Sequence, residues 1–404
     1  MMLEDSRSAI QKSWLGVAVV CLVVIGLLKP SLIEPEHVFG ARNNNQIAEA
    51  QAWWNGQLDI PDRKWDTARV GTRIYNHFPP LFTFIAAMVV PIFGGVPQAV
   101  VLTMVVLPIP ALAFLLFKWI IGRSGAALFL AIGFVCGTSL WPVLDQALRG
   151  ASPYPVNHAL ATIGLLILLG EVFGKRRIWV AGAGLVMATM ARQLTVFYAI
   201  PLLIIARSNE AAGSTRSRTL AIVVTGALVL GVPAVLNSLK FGNPFDSGYM
   251  RVYEDRTDAL AEAARAHGLF SPHFVPGNLY HMNLGLPRVH RIEVAGEPEY
   301  HIRPNRICTG IWWTTPVLMW LFWDLRRTLS DPARRGVLMA CALVFVCLLF
   351  FHGAGQEQRG FNRFSLDFLP GLMALVAPRC FEGRRAWISG AMIGWSMIYF
   401  RWLI

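Results

Sequence analysis

Residues 79–94 read PPLFTFIAAMVVPIFG, and the side on which this one segment lies decides how every later helix threads the membrane. The stretch is apolar but short and opens on Pro79-Pro80, whereas a spanning helix needs about 20 mostly apolar residues. Working outward from it, apolar runs near 14–33, 98–117, 124–143, 157–173, 178–191, 194–206, 219–238, 307–325, 336–352, 364–378 and 386–402 predict eleven spans. Cytoplasmic connections are enriched in Lys and Arg. If 79–94 does not cross, the inner connections hold Lys118/Arg123, Lys175-Arg176-Arg177, Arg207/Arg216/Arg218, Arg326-Arg327/Arg334-Arg335 and Arg379/Arg384-Arg385. If it does cross, all of these clusters turn outward. The segment is therefore assigned to the outer face, as an interfacial or re-entrant helix.

Composition agrees with a membrane protein. Of 404 residues, 55% are hydrophobic and only 15% charged, and the mean hydropathy is +0.49, too little charge to cover a water-soluble surface of this size. The net charge of +12 resides in short basic clusters between apolar runs, a pattern that sets topology and argues against nucleic acid as a partner. The six cysteines lie in or beside apolar runs without a C-x-x-C pair, so they read as small core residues. Trp14–Leu28 follows Arg7 and Lys12 without a small-x-small cleavage pattern and reads as a retained first helix with a cytoplasmic N-terminus. The expectation is an all-α integral membrane domain, 1–404, of an inner (plasma) membrane. About eleven transmembrane helices carry external loops 30–97 and 239–306 and a shorter outer segment from His352 to Arg363.

The outer segments carry Asn43-Asn44-Asn45-Gln46, Trp53-Trp54-Asn55-Gly56, Trp65-Asp66-Thr67 and Tyr75-Asn76-His77-Phe78-Pro79-Pro80-Leu81. Further along come Met190-Ala191-Arg192, Phe241-Gly242-Asn243-Pro244 with Gly248-Tyr249, and Arg363-Phe364 leading into Asp367-Phe368-Leu369-Pro370. In this order they resemble the GT-C glycosyltransferases, above all bacterial relatives of the protein mannosyltransferases and of the lipid A aminoarabinose transferase. The resemblance implies transfer of a sugar from a polyprenyl-phosphate donor to an acceptor at the extracytoplasmic surface, with a lipid, a protein or a polysaccharide as acceptor and membrane lipids as surroundings. It implies neither cofactor nor metal, since cationic side chains hold a monophosphate donor in members of such families.

The resemblance also implies an acid, commonly Asp or Asp-Glu, early in the first external loop. Here Asn43 and Asn44 stand in its place, and an amide cannot act as general base. Either the base has moved within the loop or catalysis has been lost. Asp66 is the first candidate, followed by Asp59, Glu36 and Glu34, each with the plainer reading of a solvated carboxylate. The leaving phosphate calls for cations. Arg192, between two apolar runs, is the first choice, because a charge at such depth costs several kcal/mol unless it is paired or faces water. Arg359 and Arg363 follow, and membrane-interface anchoring is the alternative for all three. His77, Tyr75 and His158 are candidate substrate contacts, with helix-end or turn roles as the alternative.

His267, His273, His281, His290 and His301 in the second external loop match no metal-binding spacing. Ser271-Pro272, Pro276-Gly277-Asn278 and Gly296-Glu297-Pro298 predict an irregular lid there. Trp53, Trp54 and Trp65 are placed for stacking on sugar, whereas Trp119, Trp179, Trp312, Trp313, Trp387 and Trp402 read as membrane-interface residues. Two other readings stay open: a non-catalytic polyprenyl-lipid-binding or envelope scaffold protein, and a transporter, for which the mid-membrane charges and repeated halves of that class are not found.

Overall fold

A computed structural model describes residues 16–18, 21, 44–61, 66–93, 96, 103–148, 153–208, 210–294, 297–305, 307–355 and 360–402. The expected first span, Asn43, Glu34, Glu36, Trp65 and Arg359 lie outside these residues in whole or in large part.

The first described helix, α1 (Asn45–Trp54), starts where the buried Asn44 side chain accepts from the Gln46 and Ile47 amides, as an N-cap does. It buries polar residues: Asn45, Gln46 and Glu49 are all inaccessible. A short hairpin follows, Ala68–Val70 paired antiparallel with Arg73–Tyr75. Its two-residue turn begins at Gly71 with φ +61°, the left-handed geometry that such tight turns require. The segment that decided the topology forms α2 (Leu81–Phe93), which buries Phe82, Thr83 and Ala86 and leaves Met88, Ile92 and Phe93 exposed. One face packs on protein and the other is exposed and apolar.

Then come α3 (Thr103–Ile121), α4 (Ser124–Cys136) and α5 (Leu140–Leu148), the last two bent by 63° about their break. Helix α6 (Pro153–Val172) is the buried axis of the molecule. It meets α7 (Ile178–Ala191) through glycine: a Cβ on Gly164 would lie 2.5 Å from the Ala188 nitrogen, and one on Gly184 would lie 2.7 Å from the Gly164 carbonyl. Small residues at facing positions are how helices approach closely where apolar solvent removes the hydrophobic drive. A helical turn, Gln193–Tyr198, leads into α8 (Ala199–Arg207). The long peripheral α9 (Thr215–Phe241) has Leu220, Val223, Leu230, Val235 and Leu239 exposed, and Gly242 ends it at φ +76°. After a second long loop, α11 (Pro332–Phe350), α12 (Leu369–Cys380) and α13 (Arg385–Trp402) complete the bundle.

Among the described residues, α3, α6, α9 and α11 are long and apolar enough to cross a membrane, and the α4–α5 pair would make a fifth. Shorter apolar helices at Leu81–Phe93, Ile178–Ala191, Gln193–Arg207 and Leu369–Cys380 accompany them. These account for part of the eleven expected. The expected span at 307–325 is broken into short turns around Thr315-Pro316, where proline removes an amide donor and clashes with the preceding turn.

The second loop is more ordered than its Pro, Gly and Asn content suggests. Asp258 caps α10 (Ala259–His267) by accepting from the Ala261 amide at 3.1 Å, and the strands Arg288–Val294 and Glu297–Arg303 pair antiparallel. This hairpin and the small one in the first loop depart from an all-helical expectation. The loop is sewn to the end of α11 by Asn278, whose Nδ2 donates to the carbonyls of Leu348, Leu349 and Phe351 at 3.2, 2.9 and 2.7 Å. Its Oδ1 accepts from the Gly355 amide at 2.8 Å. One side chain thus satisfies carbonyls that a helix end leaves unbonded.

Candidate active site

A cavity of 130 Å³ opens between the first-loop turn before α2, the N-terminus of α6, the α7–α8 turn and the second-loop segment at Tyr249. His77, Tyr154, Asn157, Arg192, Tyr249 and Phe364 are among the residues that line it. Its shape follows from chain breaks. Arg192 adopts extended backbone (φ −146°, ψ 102°) where α7 stops, so its guanidinium points off the helix end instead of along a lipid-facing surface.

Arg192 is held by a buried carboxylate. Its Nε and Nη2 donate to Asp367 Oδ1 and Oδ2 at 3.1 and 2.8 Å, a forked geometry that only a guanidinium makes. Asp367 is fully buried, and the equally buried His158 brings Nδ1 to 3.4 Å of its Oδ1. Arg363, four residues before Asp367, is placed differently. Its Cζ lies 4.6 Å from the Tyr154 ring centre and 5.3 Å from that of Phe364, while Arg192 stacks on the same Phe364 ring at 5.0 Å. Among the described residues Arg363 pairs with no carboxylate, and its buried Nε has no hydrogen-bond acceptor. Burial first, and then Arg192, hold its guanidinium below its ordinary pKa; it stays a cation, because arginine is not deprotonated in proteins.

Tyr154 joins these cations to Asp66, donating its hydroxyl to Asp66 Oδ2 at 2.6 Å. Asp66 Oδ1 accepts from Arg256 Nη1 at 2.8 Å, and Arg256 Nε also donates to Asp258 Oδ2 at 2.7 Å. The Asp66 backbone is left-handed, φ +56°, a conformation that Asp tolerates better than most residues and that collects at functional sites. His77 packs its ring on Phe78 at 4.3 Å and edge-on to Tyr249 at 4.8 Å. Its pKa is pushed down to about 3, by burial first and by the nearby Lys240 ammonium second, so it is a neutral imidazole at physiological pH.

The structure thus places His77 and Arg192 on the cavity wall, with Asp66, Arg363 and His158 behind it, against the lining residues Tyr154 and Phe364. Tyr75 is buried against Phe241 instead, ring centres 5.8 Å apart, and Asp59 lies half-buried in the turn after α1; neither lines the cavity. Among the described residues no three His, Cys, Asp or Glu side chains cluster as a metal site. His267 and His273 stack on each other with centroids 3.9 Å apart.

Sequence reading missed several partners. Glu49, fully buried, accepts from Asn76 Nδ2 at 2.6 Å and Thr83 Oγ1 at 2.7 Å and forms an ion pair with Lys240. Lys240 also donates to the Asn76 carbonyl at 3.0 Å. The signal available was a lone lysine in the last turn of a long apolar helix, which calls for a partner. Gln46 reaches the Pro79 carbonyl at 2.7 Å and Asn157 Oδ1 at 3.2 Å, fixing the first loop to α6.

The fold of the described helices and loops has counterparts among solved membrane-protein structures. It is similar to an oligosaccharyltransferase of Archaeoglobus fulgidus in its apo form, with a TM-score of 0.53, 13% identity, and a match covering 96% of this chain and 55% of that one. It is also similar to ArnT from Cupriavidus metallidurans bound to undecaprenyl phosphate, with a TM-score of 0.50, 12% identity, and 93% and 62% of the two chains covered. The chain therefore spans little more than half the length of these structures. No protein-family model matches it, and no curated protein matches it in sequence.

Proposed function

We propose that the chain transfers a sugar from a polyprenyl-phosphate donor to an acceptor at the extracytoplasmic surface of the membrane. The observation that carries this reading is Arg363: a half-buried guanidinium packed on the Tyr154 and Phe364 rings that line the cavity, its Nε buried without an acceptor and no carboxylate paired with it among the described residues. A buried charge without a counter-ion is strongly unfavourable, and the anionic phosphate of a donor seated in the cavity would compensate it. Arg192, whose charge Asp367 already balances, lends hydrogen-bond donors and position. The likeness in fold to a protein crystallised with undecaprenyl phosphate supports the same donor class.

In the proposed reaction the acceptor's oxygen attacks the anomeric carbon, the bond from that carbon to the phosphate oxygen breaks, and the polyprenyl phosphate leaves on Arg363. Asp66 takes the acceptor proton. For this it gives up Arg256, which keeps Asp258 as its partner, and it retains Tyr154 as the group that orients it. His77, neutral, and Asn157 offer hydrogen bonds to the sugar.

Asn44, in the place where the family carries its acid, is used up as the cap of α1, and this favours the alternative of a non-catalytic lipid-binding relative. Purified protein in liposomes with radiolabelled polyprenyl-phosphate sugars and candidate acceptors separates the two. Transfer by the wild type that Asp66→Asn abolishes, while donor binding persists, supports the reading. Undiminished transfer by Asp66→Asn removes Asp66 as the base, and donor binding without transfer by the wild type leaves the non-catalytic reading.

A further inference from the structure

At the other end of α6, a second cavity of 190 Å³ is open along its side between α3, α6 and α7. Its walls are Leu112, Leu116, Leu166 and Val180, and its floor is Gly170. A side chain on Gly170 would meet nothing within 4 Å, so the groove is a real gap in the packing. Protein interiors ordinarily close such gaps, and an apolar one of comparable size stays dry and accepts apolar guests.

The mouth of the groove is polar and basic. Trp119 packs against Gly174, where a Cβ would come within 2.1 Å of the indole, and Lys175 Nζ stands 5.7 Å over that ring. Next to it Arg177 is tied to the buried Glu171, Nε to Oε1 at 3.0 Å and the Arg177 amide to Oε2 at 2.9 Å. Arg176 donates to Ser208 Oγ at 2.9 Å and pairs with Glu210. Three consecutive cations thus face two carboxylates, and the exposed Lys175 carries the surplus; among the described residues it pairs with no carboxylate. Tyr154, at the catalytic cavity, and Glu171, at this groove, lie near opposite ends of the same 20-residue helix. At 1.5 Å per residue that helix is about 30 Å long, the thickness of a bilayer's hydrocarbon core. The groove mouth is therefore at the membrane surface opposite the catalytic cavity, with an interfacial tryptophan beside it.

We propose that this groove is a binding site for an anionic phospholipid of the leaflet opposite the catalytic cavity, with one acyl chain over Gly170 and the phosphate at Lys175. An apolar slot open to lipid suits a hydrocarbon chain. The basic surplus at its mouth selects a negative headgroup over a zwitterionic one, as basic pockets between membrane helices do. The inference does not depend on the proposed chemistry.

The test uses the full chain in nanodiscs, with phosphatidylglycerol or phosphatidylcholine whose acyl chains are brominated. The Trp119 contribution is obtained as the difference in fluorescence quenching between wild type and Trp119→Phe. Quenching of Trp119 by phosphatidylglycerol at about fivefold lower mole fraction than by phosphatidylcholine is expected, the preference that one basic residue near a membrane surface provides. Gly170→Leu, which fills the slot, should bring phosphatidylglycerol quenching down to the phosphatidylcholine level. Because a filled slot could also disturb folding, Lys175→Gln on the exposed surface provides the second variant, and it should abolish the preference while leaving phosphatidylcholine quenching unchanged. Equal quenching by both lipids in the wild type, or a preference that survives Lys175→Gln, overturns the proposal. Displacement of brominated phosphatidylglycerol by equimolar undecaprenyl phosphate would assign the groove to a carrier tail and overturn it as well.

Discussion

Two ionic clusters stand at the same end of the bundle, and they differ in one respect. In the first, Glu49 is met by Lys240, Asn76 and Thr83, and Lys240 by Glu49 and the Asn76 carbonyl. In the second, Arg192 and Asp367 satisfy each other, but Arg363 beside them has no anion among the described residues. A saturated cluster fastens elements together, here α1, α2 and the end of α9. An unsaturated one stores an unfavourable charge that a ligand relieves. The difference is what makes the second group, and not the first, the proposed site for an anionic ligand.

The sharpest way to break this contrast is to unbalance the saturated cluster. Lys240→Ala leaves Glu49 buried without a counter-ion, which should cost about 3–5 kcal/mol and appear as a large drop in thermal stability in detergent. The double variant Glu49→Gln/Lys240→Met should recover most of that loss, since replacing both charges is far less harmful than removing one. Equal losses from the single and double variants would mean that packing, not charge balance, gives the cluster its role.

The opposite pattern is expected at the unsaturated cluster. Arg363→Gln removes a cation that binds no protein anion, so the melting temperature should hold or rise. Donor binding should weaken by about tenfold to a hundredfold, the loss of a charged hydrogen-bonding group worth ~1.5–3 kcal/mol. Isothermal titration or competition with undecaprenyl phosphate measures it. A stability loss comparable to that of Lys240→Ala, with donor affinity unchanged, would make Arg363 a structural residue and remove the contrast.

How far this contrast could be read in the sequence depends on chain separation. Residues 79–94 announced a helix shorter than a full span because their apolar run is short and opens on two prolines, both local properties. Arg192 stood out because a charge between apolar runs is costly wherever it lies. The segment expected to span at 307–325 is broken locally too, since Thr315-Pro316 interrupts a pattern that hydropathy alone treats as continuous. What stayed hidden is pairing across distance: Tyr154 with Asp66 is 88 positions apart, Arg192 with Asp367 is 175, and Arg256 with Asp66 is 190. Glu49 passed unnoticed within a motif whose aromatic and amide residues drew attention, because nothing near it in sequence shows that it is buried. The pull of tertiary contact on the second loop was likewise invisible, with Asn278 looking like a turn residue when it caps α11.

A smaller effect links the two clusters through His77. Its pKa is pushed down to about 3 from the ordinary 6.5, by burial and then by Lys240. Below pH 6.5 the unfolded chain takes up a proton on this imidazole and the folded chain does not until about pH 3. Stability is therefore independent of His77 above pH 6.5 and declines as pH falls from 6.5 toward 3, because the unfolded state binds more protons in that window. His77→Gln should flatten this part of the pH–stability profile. Glu49→Gln/Lys240→Met should make it shallower without abolishing it, since it removes the second cause of the shift and leaves the burial. Urea or thermal unfolding between pH 4 and pH 8 provides the measurement. An unchanged slope in His77→Gln would show that other groups control the acid response, whereas a slope lost in the double variant alone would put the Lys240 charge ahead of burial as its source.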